Sequence, residues 1–285
     1  MNFFTQFQIP KSNISIDYNS SLFLIGSCFA ENIGNLLAEN KFKTLTNPLG
    51  ILFHPLAIER NLTEIIQNKK IDELDILFYN HQYLSLHSHS INNRDSKEKF
   101  VNNYNLLIEK SHLFLKNASH IMITYGTTWV YEYLKTNEIV ANCHKLPSSD
   151  FKKKILDIDE IKNSIDNTIQ ILQEFNPTIK IIFTISPVRH LKDGFMENTL
   201  SKSLLICALY ENIKYKNAIY SIFPAYEIML DELRDYRFYN NDYLHPNPLA
   251  IEYIWEKFSN LYFSDNTKNT IKKLQKINKD LKHKS

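Results

Sequence analysis

Residues 241–248 read Asn-Asp-Tyr-Leu-His-Pro-Asn-Pro. Asp242 stands three residues before His245, and Pro248 marks a helix start. A carboxylate that holds one ring nitrogen of an imidazole leaves the other free to accept a proton. The plainer alternative is that Asp242 caps a turn and His245 packs on the helix. Near the N-terminus the apolar run Leu22-Phe23-Leu24-Ile25 leads into Gly26-Ser27-Cys28-Phe29-Ala30. Ser27 and Cys28 are both candidate nucleophiles. A nucleophile after the first strand and a base before the last helix of the body point to a hydrolase. A second group, His81, His87 and His89, offers imidazoles that could bind a metal from one strand face, or that simply pack and solvate. His144, Arg189 and His190 follow strand ends, where they could line a pocket, and Arg189 could take a substrate carboxylate or phosphate. Trp129, Tyr131 and Tyr133 alternate with other residues, which suits cross-strand packing better than a sugar-stacking platform.

These groups need a frame. Residues 21–25, 120–125 and 179–185 are short apolar runs and read as buried strands; residues 138–143 and 218–223 are weaker candidates. Residues 44–53 are mixed, with a turn signal at Asn47-Pro48-Leu49-Gly50. Residues 74–92 fit strands or an irregular insertion. Helical spacing is expected over 29–39, 56–67, 100–115, 157–175, 197–215, 224–233 and 248–261. Ile158, Ile161, Ile165, Ile169 and Leu172 form one stripe, which Asn176-Pro177 ends. Strands alternating with long helices imply an α/β fold: a three-layer α/β/α sandwich on a mostly parallel sheet, with ligands beyond the C-terminal strand ends. One domain over 1–263 and a helical basic tail over 264–285 are expected.

Composition narrows the function classes. Of 285 residues, 44% are hydrophobic, enough for a full core. Net charge is +2, which gives no general case for nucleic-acid binding. Residues 268–285 carry seven Lys against one Asp, a balance of +6, so the other 267 residues sum to −4. Such a tail reads as a solvated helix, with a phosphate or membrane contact as the lesser reading. Three cysteines, Cys28, Cys143 and Cys207, argue against a disulfide framework and for a reducing, cytoplasmic setting. Residues 1–12 lack the pattern of a signal peptide, and no apolar stretch is long enough to span a membrane. The sequons at Asn13, Asn19, Asn61 and Asn117 then carry little meaning. Only 5 glycines occur, and no phosphate loop, dinucleotide fingerprint, Gly-x-Ser-x-Gly elbow or His-Glu-x-x-His is present. No cofactor and no metal are called for.

The segment Ile25-Gly26-Ser27-Cys28-Phe29-Ala30-Glu31-Asn32-Ile33-Gly34 resembles the signature of the GSCFA family, which is similar to the SGNH (GDSL-like) hydrolases. Residues 47–53, 123–131, 141–145 and 186–190 resemble further blocks of the family, so the resemblance spans about residues 20–260. It implies a flavodoxin-like sheet and a nucleophile-His-Asp triad in which His245 is the base and Asp242 its orienter. The Gly-x-nucleophile register of the SGNH enzymes puts Cys28 in the reacting slot, where a helix N-terminus and an imidazole are expected to lower the thiol pKa. Shifting by one residue gives Ser27, with Cys28 as a buried filler. Oxyanion donors implied by the resemblance are the Gly50 amide and the amide of the nucleophile. The third block implies Gly126 as a further oxyanion position but departs from the family's Gly-x-Asn: Gly126 is followed by Thr127 and Thr128. Thr128 or Asn142 is the expected substitute. Three functions compete: an esterase or acyltransferase acting on a small-molecule or carbohydrate acyl ester, a binding or assembly protein on the same scaffold, and a metal-assisted hydrolase built on His81, His87 and His89.

Overall fold

A computed structural model describes residues 5–6, 8–9, 12–213 and 219–282. Parts of four expectations lie outside them: the N-terminal segment in part, the far ends of the 197–215 helix and of the tail, and the first residue of the 218–223 strand.

The sheet is built from the apolar runs. Strands β1 (Ser21–Gly26), β2 (Lys43–Thr46), β5 (His120–Tyr125), β9 (Lys180–Ile185) and β10 (Tyr220–Phe223) pair in the order β10-β9-β5-β1-β2, and every pairing is parallel. Counted along the chain, this is the 2-1-3-4-5 order of flavodoxin-like sheets. The central strands are buried on both faces, so their sequences run apolar without alternating. Side chains still alternate in direction. Phe23, Ile25, Ile121, Ile123, Tyr125, Ile181 and Phe183 enter one core with helices α2 (Pro55–Ile66), α3 (Lys97–Lys116), α4 (Ile158–Phe175) and α5 (Phe195–Ile213). Leu22, Leu24, Met122, Ile182 and Phe223 enter a second core with α1 (Cys28–Glu39) and α7 (Pro248–Tyr262). The protein is therefore a three-layer α/β/α sandwich.

Local chemistry sets the helix starts. Ser27 caps α1, Asn247 caps α7, and Asp157 with Glu160 forms a reciprocal capping box on α4. Between β10 and α7 lie a single helical turn, α6 (Ala225–Glu227), and a π-helical turn over Ile228–Glu232. Helix α8 (Asp265–Lys282) follows, and it is not wholly solvated: Ile271 is buried in the second core.

Two excursions leave this frame. Strands β3 (Leu77–Tyr79) and β4 (Gln82–Leu84) form a hairpin over a two-residue turn, Asn80-His81, with both residues at positive φ. Strands β6 (Trp129–Tyr133), β7 (Glu138–Val140) and β8 (Phe151–Ile155) form an antiparallel lobe between β5 and α4. The lobe closes at its neck, where Leu156 N–H donates to the Thr128 carbonyl at 2.9 Å. Strand β8, with three consecutive lysines, has no counterpart in the sequence expectations. No helix among the described residues is long and apolar enough to cross a membrane.

Candidate active site

The Ser27–Cys28 pair, Gly126 and the Ser186–His190 loop follow the C-terminal ends of β1, β5 and β9. Gly26 ends β1 at φ +132°, and a Cβ there would run into the Thr124 carbonyl of β5, so only glycine fits. Asn47 ties the second block to the first: its side chain accepts the Gly26 N–H at 2.9 Å and its N–H donates to Leu24 O at 2.9 Å.

Ser27 and Cys28 differ sharply in environment. Ser27 is fully buried and its Oγ accepts the Phe29 N–H at 3.3 Å as the helix cap. Cys28, the first residue of α1, is partly exposed. Its thiol pKa is raised, against the expectation of a lowered one. Burial is the largest cause and Glu31 adds to it; the N–H groups of Cys28 and Phe29 and the charge of Lys202 only partly offset them. The resting group is a thiol, so it needs a base to react.

The Asp242–His245 turn has the geometry of an oriented base. Asp242 Oδ2 meets His245 Nδ1 at 2.6 Å, and Asp242 Oδ1 accepts the N–H groups of Leu244 at 2.8 Å and His245 at 3.0 Å. The two backbone donors and the imidazole hold the Asp242 carboxyl down at about 2. Nδ1 is thereby the protonated nitrogen, and Nε2 has no partner among the described residues. The turn is docked to the loop after β9 by Arg189 N–H, which donates to Leu244 O at 3.1 Å.

A cavity of about 520 Å³ opens beside this rim, walled mainly by the lobe and by Phe53, His54, Thr127 and His190. Neither Cys28 nor His245 lines it. His190 stands on its wall, its ring against Gly126 and Phe53. Asn142 and His144 sit on its wall in a tight turn: Asn142 Oδ1 accepts the His144 N–H at 2.8 Å. His144 uses both ring nitrogens, Nε2 toward Ser88 O at 2.9 Å and Nδ1 toward Asn93 Nδ2 at 3.3 Å. Burial lowers its pKa.

The sequence model of the GSCFA family matches residues 21–258. The chain belongs to the GSCFA family. No curated protein matches it. Among solved structures it is similar to a carbohydrate esterase family 3 protein from Talaromyces cellulolyticus at 8% identity and TM-score 0.40, covering 84% of this chain and 94% of that one. It is also similar to an acetyl esterase variant crystallised with acetate, at 9% identity and TM-score 0.41, covering 90% and 99%. A third likeness is to an acetyl xylan esterase from Butyrivibrio proteoclasticus, at 11% identity and TM-score 0.40, covering 87% and 64%. At these scores the likenesses carry no argument about chemistry.

Several expected positions in this GSCFA chain are otherwise engaged. The Gly50 N–H closes a turn on Asn47 O at 2.8 Å, and the Gly126 N–H donates to Phe53 O at 2.7 Å, so neither amide is free for an oxyanion. Thr128 is fully buried; its N–H donates to Ser201 Oγ at 2.8 Å, its Oγ1 has no partner among the described residues, and it is Thr127 that lines the cavity. Arg189 leaves the cavity altogether and lies over the rings of Tyr236, at 5.4 Å, and Tyr239, at 4.7 Å. His81, His87 and His89 do not converge: His81 is in the exposed hairpin turn, His89 caps a short helix, and His87 is buried. His87 instead joins Asp75 and Glu138, whose ligand atoms lie close together. Arg60 already supplies a cation there, 3.6 Å from Asp75 and 3.3 Å from Glu138.

Two site residues gave no local signal in the sequence. His54 caps α2 through Nδ1, which accepts the Ala57 N–H at 3.2 Å, so Nε2–H donates to Val140 O at 3.1 Å and braces the cavity wall; burial brings its pKa to about 4. The His-Pro pair before a helix was the available hint. Lys202, on α5, is 1% exposed and donates to Ser186 O at 2.7 Å. Burial lowers its pKa to about 7, and Cys28 is the group that raises it.

Proposed function

We propose that the protein hydrolyses short-chain acyl esters with Cys28 as nucleophile, His245 as general base and Asp242 as the group that orients it. The observation that carries this reading is the Asp242–His245 turn: a carboxylate with three donors on it, holding one tautomer of an imidazole whose other nitrogen is unengaged. Burial and capping of Ser27, against the partial exposure of Cys28, support the thiol as the reacting group. In the first step Cys28 Sγ attacks the acyl carbon while its proton passes to His245 Nε2. The carbonyl π pair moves onto oxygen. Collapse expels the alcohol, which takes the proton back from His245. Water, deprotonated by the same imidazole, then attacks the thioester, releases the acid and restores the thiol. An acyltransferase would differ only in the second acceptor. An acetyl group on a carbohydrate is the default substrate by family analogy alone.

A binding protein without turnover is the second reading. Its support is that the Gly50 and Gly126 amides are bonded within the chain. Incubation with p-nitrophenyl acetate and with iodoacetamide separates the two, with the adduct mapped by mass spectrometry. The esterase reading expects turnover that disappears in Cys28→Ala and His245→Ala and falls strongly in Asp242→Asn. Turnover retained in Cys28→Ala but lost in Ser27→Ala would move the nucleophile by one residue. No turnover in the wild type would leave the binding reading.

A further inference from the structure

One polar group at this rim has no counterpart. His190 Nε2 is buried and has no hydrogen-bond partner among the described residues. It is held from several sides. A Cβ added to Gly126 would lie 3.1 Å from His190 Nε2 and 3.2 Å from Phe53 O, so the imidazole packs closely against the end of β5. The ring stands edge-on to Phe53, centroids 5.4 Å apart. The His190 N–H donates to Asn198 Oδ1 of α5 at 2.9 Å, and the neighbouring Arg189 N–H fastens to the His245 turn. A buried nitrogen this well fixed and still unpaired marks a place where a ligand atom is expected.

The charge behind it has the right sign for an anion. Lys202 is fully buried, its amine donates to Ser186 O at the start of the loop that carries His190, and it faces the Tyr226 ring at 5.5 Å. Burial lowers its pKa, and the Cys28 thiol is the group that favours its charged form. The imidazole itself stays neutral, held down to about 3 by burial and by the charges of Lys202 and His245. A neutral imidazole carries one N–H.

We infer that His190 Nε2–H, backed by the buried ammonium of Lys202, is an anion-binding site at the end of β5 that receives the acyl oxygen as it becomes an oxyanion. This rests on the esterase reading for its occupant. It replaces the donors that the Gly50 and Gly126 amides do not provide, and it explains why a Gly126 followed by threonines does not leave the site without a donor. His190 touches the reacting oxygen; Lys202 acts through the field it sets and through Ser186, as a positioning residue.

Acetate, the product anion of an acetyl ester, is the probe. The whole protein is treated with iodoacetamide, and the rate of Cys28 alkylation is followed with and without acetate. Acetate is expected to slow alkylation in the wild type. At least tenfold of that protection is expected to vanish in His190→Ala, part of it to return in His190→Gln, which keeps an N–H donor, and protection to weaken in Lys202→Met. Turnover of p-nitrophenyl acetate is expected to fall by about 10²–10³ in His190→Ala, the usual cost of one oxyanion donor. Equal protection in wild type and His190→Ala, or no protection in the wild type, overturns the inference. Should His190→Ala fail to fold, full protection in both His190→Leu and Lys202→Met does the same. A wild type that acetate protects but that cleaves no ester would overturn the esterase reading and leave the anion site in place.

Discussion

Replacing Lys202 by methionine should make the protein more stable at pH 6 and less stable above pH 10. The amine titrates at about 7 when folded against an ordinary 10.5. Its folded pKa is depressed, so the charged form is the one disfavoured by folding. The penalty is complete below about pH 7, shrinks as pH rises toward 10.5, and is absent beyond. At about 1.4 kcal/mol per pH unit this is about 5 kcal/mol. Methionine has a similar length and no charge, so it removes the whole term. It also removes the 2.7 Å bond to Ser186 O, and an orphaned buried carbonyl costs about 1–3 kcal/mol. The net expectation is a gain of about 2–4 kcal/mol at pH 6 and a loss of about 1–3 kcal/mol near pH 11. Urea unfolding followed by tryptophan fluorescence, at both pH values for both proteins, measures it. Groups common to the two proteins cancel in the difference. A variant whose deficit is the same at pH 6 and pH 11 would refute the claim that Lys202 carries an uncompensated charge. The stabilised variant is expected to be the poorer esterase, because the strain removed is the field that the reacting oxygen would use.

Three further outcomes are expected. Gly26→Ala forces a side chain at φ +132° into the carbonyl of a central strand, so it should cost about 2–5 kcal/mol or prevent folding, read as a shifted urea midpoint. Arg189→Ala should cost about 0.5–1 kcal/mol of stability through its lost ring contacts and leave the KM for a neutral ester within twofold; a large KM change would return Arg189 to the substrate site. Prolonged EDTA treatment should leave ester turnover unchanged, because Arg60 occupies the cation position among Asp75, His87 and Glu138; loss of activity restored by zinc would show that position taken by a metal instead.

What could be read in the sequence follows from how local each cause is. β1, β5 and β9 were legible because strands buried on both faces leave no polar alternation to confuse them. The α4 stripe was legible because its apolar spacing is a local pattern, whereas Asp157 was read as the first helical residue and is the cap. β8 was not, because Phe-Lys-Lys-Lys-Ile carries no apolar pattern. Its lysines are satisfied only across space: Lys152 lies opposite Glu132, Lys153 sits over the Trp129 ring and pairs with Asp193, and Lys154 bonds Glu160 at 3.0 Å. The engagement of Gly50 could have been read, since Asn-Pro-Leu-Gly is a turn whose last N–H closes back on its first carbonyl. His190 was legible as a residue after a strand end, and it lines the cavity; Lys202 was not legible. Nothing near Lys202 in the chain marks it as buried, and its meaning depends on Cys28, far away in sequence.

The lobe formed by β6, β7 and β8 leaves after β5 and ends at the start of α4, its two ends joined by the Thr128–Leu156 bond. Most of the cavity wall is contributed by this one excursion, whereas Cys28 and the Asp242–His245 turn belong to the doubly wound frame. Recognition and reaction are thus encoded in separable stretches of gene. A transplant of residues 129–155 between relatives would exchange one binding wall for another while the strand registers beneath stayed as they were. On the esterase reading, selection can therefore retune what the protein accepts without relearning how it reacts.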